Sequence, residues 1–208
     1  MKKLFILFML FCLAISAQEI MDRDNSVCFA AKHYINQGSG DNVKYDLILK
    51  NGNKISIQKI GCGLCSLAMG AEIQFGKDLS PHSKLHAFAQ WAIDKGYLTI
   101  HGMGYDAINS VWKTIKNNAR SDSKVEYIVL STDKDNRGET DYVKTKLSQK
   151  IPVIAHRPGH YYLLCGIAIK DNVTYLYVQD PGARNKSNKW TKASEIFGEC
   201  NKYFILSK

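Results

Sequence analysis

The 208 residues carry 28 lysines and arginines against 19 aspartates and glutamates, a net charge of +9, and 45% of them are hydrophobic. That is enough apolar material for one domain with a proper core. The lysines are scattered, and no aromatic-plus-basic module accompanies them, so a nucleic-acid partner is not expected; the positive charge suits plain solubility or an anionic neighbour such as an acidic polymer, cell-wall material or a membrane surface.

The chain opens with Lys2 and Lys3, then an apolar run from Leu4 to Ala17 that ends in small residues. This predicts a secretory signal cleaved after Ala17. The run falls short of the roughly 20 residues a membrane-spanning helix needs, and no other stretch is long enough, so no transmembrane segment is expected in the mature chain. Residues 18–208 are then a single secreted or periplasmic domain, with a charge reduced to +7 by the loss of Lys2 and Lys3. It keeps Cys28, Cys62, Cys65, Cys165 and Cys200, an odd number. In an oxidising compartment at least one thiol stays unpaired, either buried or there to react. Cys28 and Cys200, near the two ends, are the expected disulfide pair.

Two short alternating runs between Tyr45 and Ile57 flank Asn51-Gly52, a hairpin signal. After Gly61-Cys62-Gly63 the spacing becomes helical from about Cys65, with Leu64, Leu67, Ala68 and Ala71 on one face. A second helix starts near Ser83, aligns Leu85, Phe88, Ala89 and Ala92, and stops before Gly96. A third runs from Asp106 to about Lys116 and buries Ile108, Val111, Trp112 and Ile115. Strands are predicted at Val125–Leu130, Ile151–Ala155, His160–Ile169, Val173–Val178 and Tyr203–Leu206, interrupted by one helix at Thr140–Ser148. Helices followed by antiparallel strands make an α+β domain, with a cleft between a helical half and a sheet half.

Chemistry collects at three places. Cys62 stands ahead of a helix, where unpaired N–H groups and the helix dipole favour a thiolate. His160 opens an apolar strand, at the end where a sheet meets a cleft. Asp180, in Gln179-Asp180-Pro181-Gly182, ends the next strand. Taken as a regular hairpin with a two-residue turn at Asp171-Asn172, the pairing puts Asp180 opposite Leu163 and on the wrong face for His160. One residue bulged out near Cys165-Gly166 moves Asp180 opposite Tyr162, diagonal to His160, and a longer turn with an odd number of loop residues would serve as well.

The segment Gly61 to Met69, read G-C-G-L-C-S-L-A-M, resembles the nucleophile segment of papain-like cysteine peptidases of the bacteriocin-processing, double-glycine-leader type and their secreted stand-alone relatives. The G-H-Y-Y-L-L-C-G and Q-D-P-G segments resemble that family's histidine and aspartate strands, in matching order from about Ile57 to Asp180. The resemblance implies a papain-like fold, a peptide or protein substrate and no cofactor or metal. It makes Cys62 the nucleophile, His160 the general base and Asp180 the residue that orients the imidazole. Relatives place an oxyanion-stabilising glutamine about six residues before the nucleophile. Here Ser56 stands there, and Gln58 is the candidate, helped by the Cys62 N–H. Cys65 also departs from the small residue usual in relatives, and with no transporter domain following, cleavage after double glycine does not carry over.

Three other readings compete. Cys62-Gly63-Leu64-Cys65 has the C-x-x-C form of a thiol-disulfide oxidoreductase, but the proline-led strand expected soon after it comes only at Ile151-Pro152. A zinc site on Cys62 and Cys65 lacks a second paired motif. A catalytically silent papain-like binding module would keep the fold without the oxyanion donor.

Overall fold

The computed structural model describes residues 26–118, 126–129, 137–182 and 187–208; the expected signal and its cleavage point after Ala17 lie outside the described residues. The chain enters on strand β1 (Ser26–Cys28) and passes through a hairpin of β2 (Leu47–Ile48) and β3 (Lys54–Ile55), where Leu47 pairs with Ile55 and Gly52 takes a positive φ of 82° in the turn. Helices α1 (Ile57–Ile60), α2 (Cys62–Phe75), α3 (His82–Asp94) and α4 (Tyr105–Asn118) follow, with a short ladder of β4 (Leu98–Thr99) and β5 (Gly102–Met103) before the last.

Helix α2 is the centre of this half. Every residue from Gly63 to Ala71 is buried, so it has no polar face and behaves as a core helix. It begins at Cys62 itself, three residues before the apolar spacing would place it. The reason is local: the Gly61 N–H closes on the Ile57 carbonyl at 2.7 Å while the Cys65 N–H closes on the Gly61 carbonyl at 2.8 Å, so one helix hands the chain directly to the next. Helix α3 starts one residue before Ser83, after Pro81, whose carbonyl takes the Lys84 and Leu85 N–H groups. It stops as expected, with Gly96 beyond its end and the Tyr97 N–H returning to Ala92 at 2.8 Å.

The second half is one antiparallel sheet. Its strands are β6 (Glu126–Val129), β7 (Val153–Arg157), β8 (His160–Lys170), β9 (Val173–Gln179), β10 (Lys189–Lys192) and β11 (Lys202–Ile205), in the order β10-β9-β8-β7-β11-β6. Strand β1 extends the same edge of β8 beyond the point where β7 ends, with Cys28 opposite Gly166. Alternation then divides the side chains between two cores. Ile154, Tyr161, Leu163, Cys165 and Phe204 meet α2 and the rest of the helical half. Val153, Ala155, Tyr162, Leu164 and Val178 meet α5 (Arg137–Ser148) and α6 (Ala193–Glu199) through Val143, Leu147 and Ile196. The sheet is therefore covered on both faces. Helix α6 and strand β10 are additions to the single helix and five strands predicted for this half; seven and four residues are too short to show a period.

The expected Cys28–Cys200 disulfide is not formed, and all five cysteines from Cys28 onward are free. Cys28 is exposed on β1, whereas Cys200 is buried in the second core with its Sγ 2.7 Å from the Tyr162 hydroxyl. Among the described residues, no helix is long and apolar enough to cross a membrane.

Candidate active site

The turn between β8 and β9 is the short one: Lys170 pairs with Val173, and Asp171 and Asn172 both adopt left-handed conformations, φ 50° and 59°. Pairing then runs as a regular hairpin to Ile167 opposite Leu176. Beyond it the register changes, with Leu164 opposite Val178 and Leu163 opposite Gln179. Cys165 and Gly166 thus share a single partner position at Tyr177, a one-residue bulge. A Cβ on Gly166 would lie 2.8 Å from both the Tyr177 Cβ and the Val27 carbonyl oxygen, so only glycine lets β1 and β9 close on the bulged backbone.

The shifted register carries Asp180, just past β9, to the neighbourhood of His160. Asp180 Oδ1 accepts a hydrogen bond of 2.6 Å from His160 Nε2; an ionised carboxylate has no proton to give, so Nε2 carries it. The aspartate is only 3% exposed, and its surroundings hold it from several sides. Its N–H donates to Ser187 Oγ (2.9 Å), its carbonyl accepts from the Tyr34 hydroxyl (2.6 Å), and Oδ1 also accepts from the Gly182 N–H (2.8 Å). Gly182 lies against the ring as well. A Cβ there would stand 2.7 Å from His160 Cε1.

With Nε2 committed to Asp180, Nδ1 of His160 is the nitrogen left for Cys62, whose proximity adds to the shift of the imidazole. Burial alone would pull the histidine down, but the bond to Asp180, the proximity of Cys62 and the charges of both outweigh it, and the ring is raised to about 9 from its ordinary 6.5. The folded state therefore favours the imidazolium. Its contribution to stability is fully present below about pH 6.5 and disappears as the pH rises through about 9.

Cys62 is half-buried at the first position of α2, facing that cation. The other thiols are placed differently. Burial pushes Cys65 and Cys165 far up and Cys200 to about 11, and it raises Cys28 as well. Cys65 points into the core with no exposure. Beneath the nucleophile, Gly63 is roofed by Ile108, Tyr161 and Met103, and the Tyr161 hydroxyl donates to the Met103 carbonyl at 3.0 Å.

The structure thus brings Cys62, His160 and Asp180 together. Gln58 sits four residues before Cys62, on the exposed side of α1, with its side chain towards Gly38. Ser56, six residues before Cys62, is fully buried with an unpaired hydroxyl. Sequence reasoning did not single out Tyr34, Ser187 or Gly182 as parts of the site. Only Gly182 carried a signal, as the glycine two residues after a strand-end carboxylate. Among the described residues, no three histidine, cysteine or acidic side chains are placed to hold a metal ion.

Comparison with known proteins shows the family and the fold. The profile of the family described as "Peptidase_C39 like family" matches residues 34–206. Among solved structures, the crystal structure of UfSP from C. elegans is similar, with a TM-score of 0.55 at 12% sequence identity. The match covers 94% of this chain and 36% of that one, so the chain spans about a third of the length of that protein. Its likeness is one of fold, α+β and papain-like. No curated protein matches the chain.

Proposed function

The chain belongs to the Peptidase_C39 like family of papain-like cysteine peptidases, and from that premise we propose that it hydrolyses peptide or amide bonds through a Cys62-His160-Asp180 triad. The observation that carries this is the 2.6 Å hydrogen bond between His160 Nε2 and the buried Asp180 carboxylate. A thiolate–imidazolium pair attacks the carbonyl carbon and forms a C–S bond, and the carbonyl electrons move to oxygen. As the tetrahedral species collapses, His160 gives its proton to the leaving amine and a thioester remains. Water, deprotonated by the same imidazole, then releases the acid and restores the thiol. The Cys62 N–H at the helix start and the Gln58 amide are the proposed donors to the oxyanion.

The C-x-x-C alternative is less well supported. Deep burial of Cys65 would suit a resolving cysteine, but disulfide exchange has no use for a histidine held by a buried carboxylate. Secretion after removal of residues 1–17 remains our proposal for location, with the net positive charge suiting substrates at anionic surfaces.

The test is incubation with an unfolded protein mixture, with new chain termini read by mass spectrometry and ammonia release read in parallel. New termini that iodoacetamide treatment abolishes support the peptidase reading. Ammonia without new termini would move the activity to an amidase or deamidase, and neither product would leave a silent module. The pH profile gives a second check. Because the active pair needs the imidazolium, kcat/KM should fall on the alkaline side with an apparent pKa near 9, and Asp180→Asn should bring that limb to lower pH.

A further inference from the structure

We infer that the segment from Tyr34 to Gly38 is a strap that sets the distance between the two halves of the proposed catalytic site, with Gln37 as its positioning residue; this rests on the triad reading above. The nucleophile and the histidine–aspartate pair belong to different halves of the molecule, joined through the interior by the contact of α2 with the sheet. At the rim, where the reacting atoms meet, a second connection is made by these five residues.

The bonds run to both sides. On the sheet side, the Tyr34 hydroxyl donates to the carbonyl of Asp180 at 2.6 Å, and the Gln37 N–H donates to the carbonyl of Pro181 at 2.9 Å. On the nucleophile side, Gln37 Nε2 donates to the carbonyl of Gln58 at 2.8 Å, in the short helix that leads directly into Cys62. One residue therefore bonds the backbone beside the aspartate with its own backbone and the backbone beside the cysteine with its side chain. The strap is itself stiffened by Asn36. Its Oδ1 accepts from the Gly38 N–H at 2.8 Å, and its carbonyl accepts from Asn42 Nδ2 at 2.9 Å. Asn42 in turn meets His82 of α3 at 3.1 Å, which fixes the segment to the helical half.

The other end of the Gln37 amide supports a positioning role. Its Oε1 is buried and has no hydrogen-bond partner. A buried acceptor left unpaired is unfavourable, and an apolar side chain of the same length would avoid it. What only the amide supplies is the bond from Nε2 to Gln58.

Methionine matches glutamine in length, removes both the donor and the stranded oxygen, and so separates packing from positioning. The probe is iodoacetamide, with the rate of Cys62 labelling followed by peptide mass mapping from pH 5 to 9. Wild-type protein should label Cys62 readily near pH 6, where an unactivated thiol is slow. In Gln37→Met the rate near pH 6 should drop about tenfold and the profile should move towards higher pH, with thermal stability unchanged or raised. Tyr34→Phe should shift the profile the same way by a smaller factor. A Gln37→Met profile that overlays the wild type would overturn the strap. If the wild type itself shows no labelling of Cys62 near pH 6, the triad reading fails first, and with it the premise. If Gln37→Met labels Cys65 and Cys165 as well, the loss is one of folding; Gln37→Glu, which keeps the shape and removes the donor, then decides, and a wild-type profile for it would overturn the inference.

Discussion

Replacing Cys62 by serine should reduce turnover by about 10³-fold or more, even though the two side chains differ by one atom. The reason lies in the state of the base. In the serine variant Asp180 alone still raises His160 through its hydrogen bond and charge, and to the extent that the ring keeps its proton it cannot take another from a hydroxyl. A thiol escapes the difficulty because it ionises against the imidazolium and needs no further proton transfer to become a nucleophile. Cys65→Ala should keep turnover within about threefold, with only the loss of stability that follows from trimming a buried side chain. Steady-state kinetics on both variants, with circular dichroism to confirm folding, separates the hydrolase from the disulfide-exchange reading. Loss of turnover in Cys65→Ala as deep as in Cys62→Ser would give the chemistry to the C-x-x-C pair.

Gly182→Ala should lower kcat by about 10²-fold with little change in KM or stability, the size of loss expected when a catalytic group moves by about 1 Å. The added methyl would stand 2.7 Å from His160 Cε1, 3.2 Å from Nε2 and 3.4 Å from Asp180 Oδ1, wedged between the ring and its carboxylate. Gly182 itself is exposed at the end of the strand, so few packing contacts depend on it. The ring is the part that yields, because the aspartate is fixed by Ser187 and Tyr34. Unchanged kcat would mean that the loop moves instead and that His160 does not depend on the space Gly182 leaves open.

The places where sequence and structure agree share a physical cause. Helices α3 and α4 have apolar residues on one side only, and that periodicity is visible without coordinates. The bulge was legible because two independent constraints met: a two-residue turn at Asp171-Asn172 fixed the parity of the hairpin, and Gly166 marked the residue able to break it. The grouping of Cys62, His160 and Asp180 rests on the resemblance of their three segments to one family, and the bulge is what that grouping requires. Their supports could not be read in this way. Tyr34 and Gln37 reach Asp180 and Pro181 through hydrogen bonds to backbone, and such bonds depend on the path of the chain rather than on a pattern of residue types. Gln58, the proposed second oxyanion donor, lies on the exposed face of α1 with its amide towards Gly38, a placement its residue type alone does not fix. The Cys28–Cys200 pairing failed because nearness to the two ends of a chain says nothing about which core each cysteine joins.

The strap also bears on when the molecule becomes active. Tyr34 and Asp180 are 146 positions apart, and β1 pairs with a strand equally remote in sequence. Contacts of such long range form late, because loop closure must precede the gain from pairing. During synthesis Cys62 is made well before His160, and β1 has no strand to pair with until β8 has been made. Local helix formation can therefore bury Cys65 and present Cys62 without arming it. The meeting of Cys62 with His160 and Asp180 therefore depends on contacts of long range in sequence.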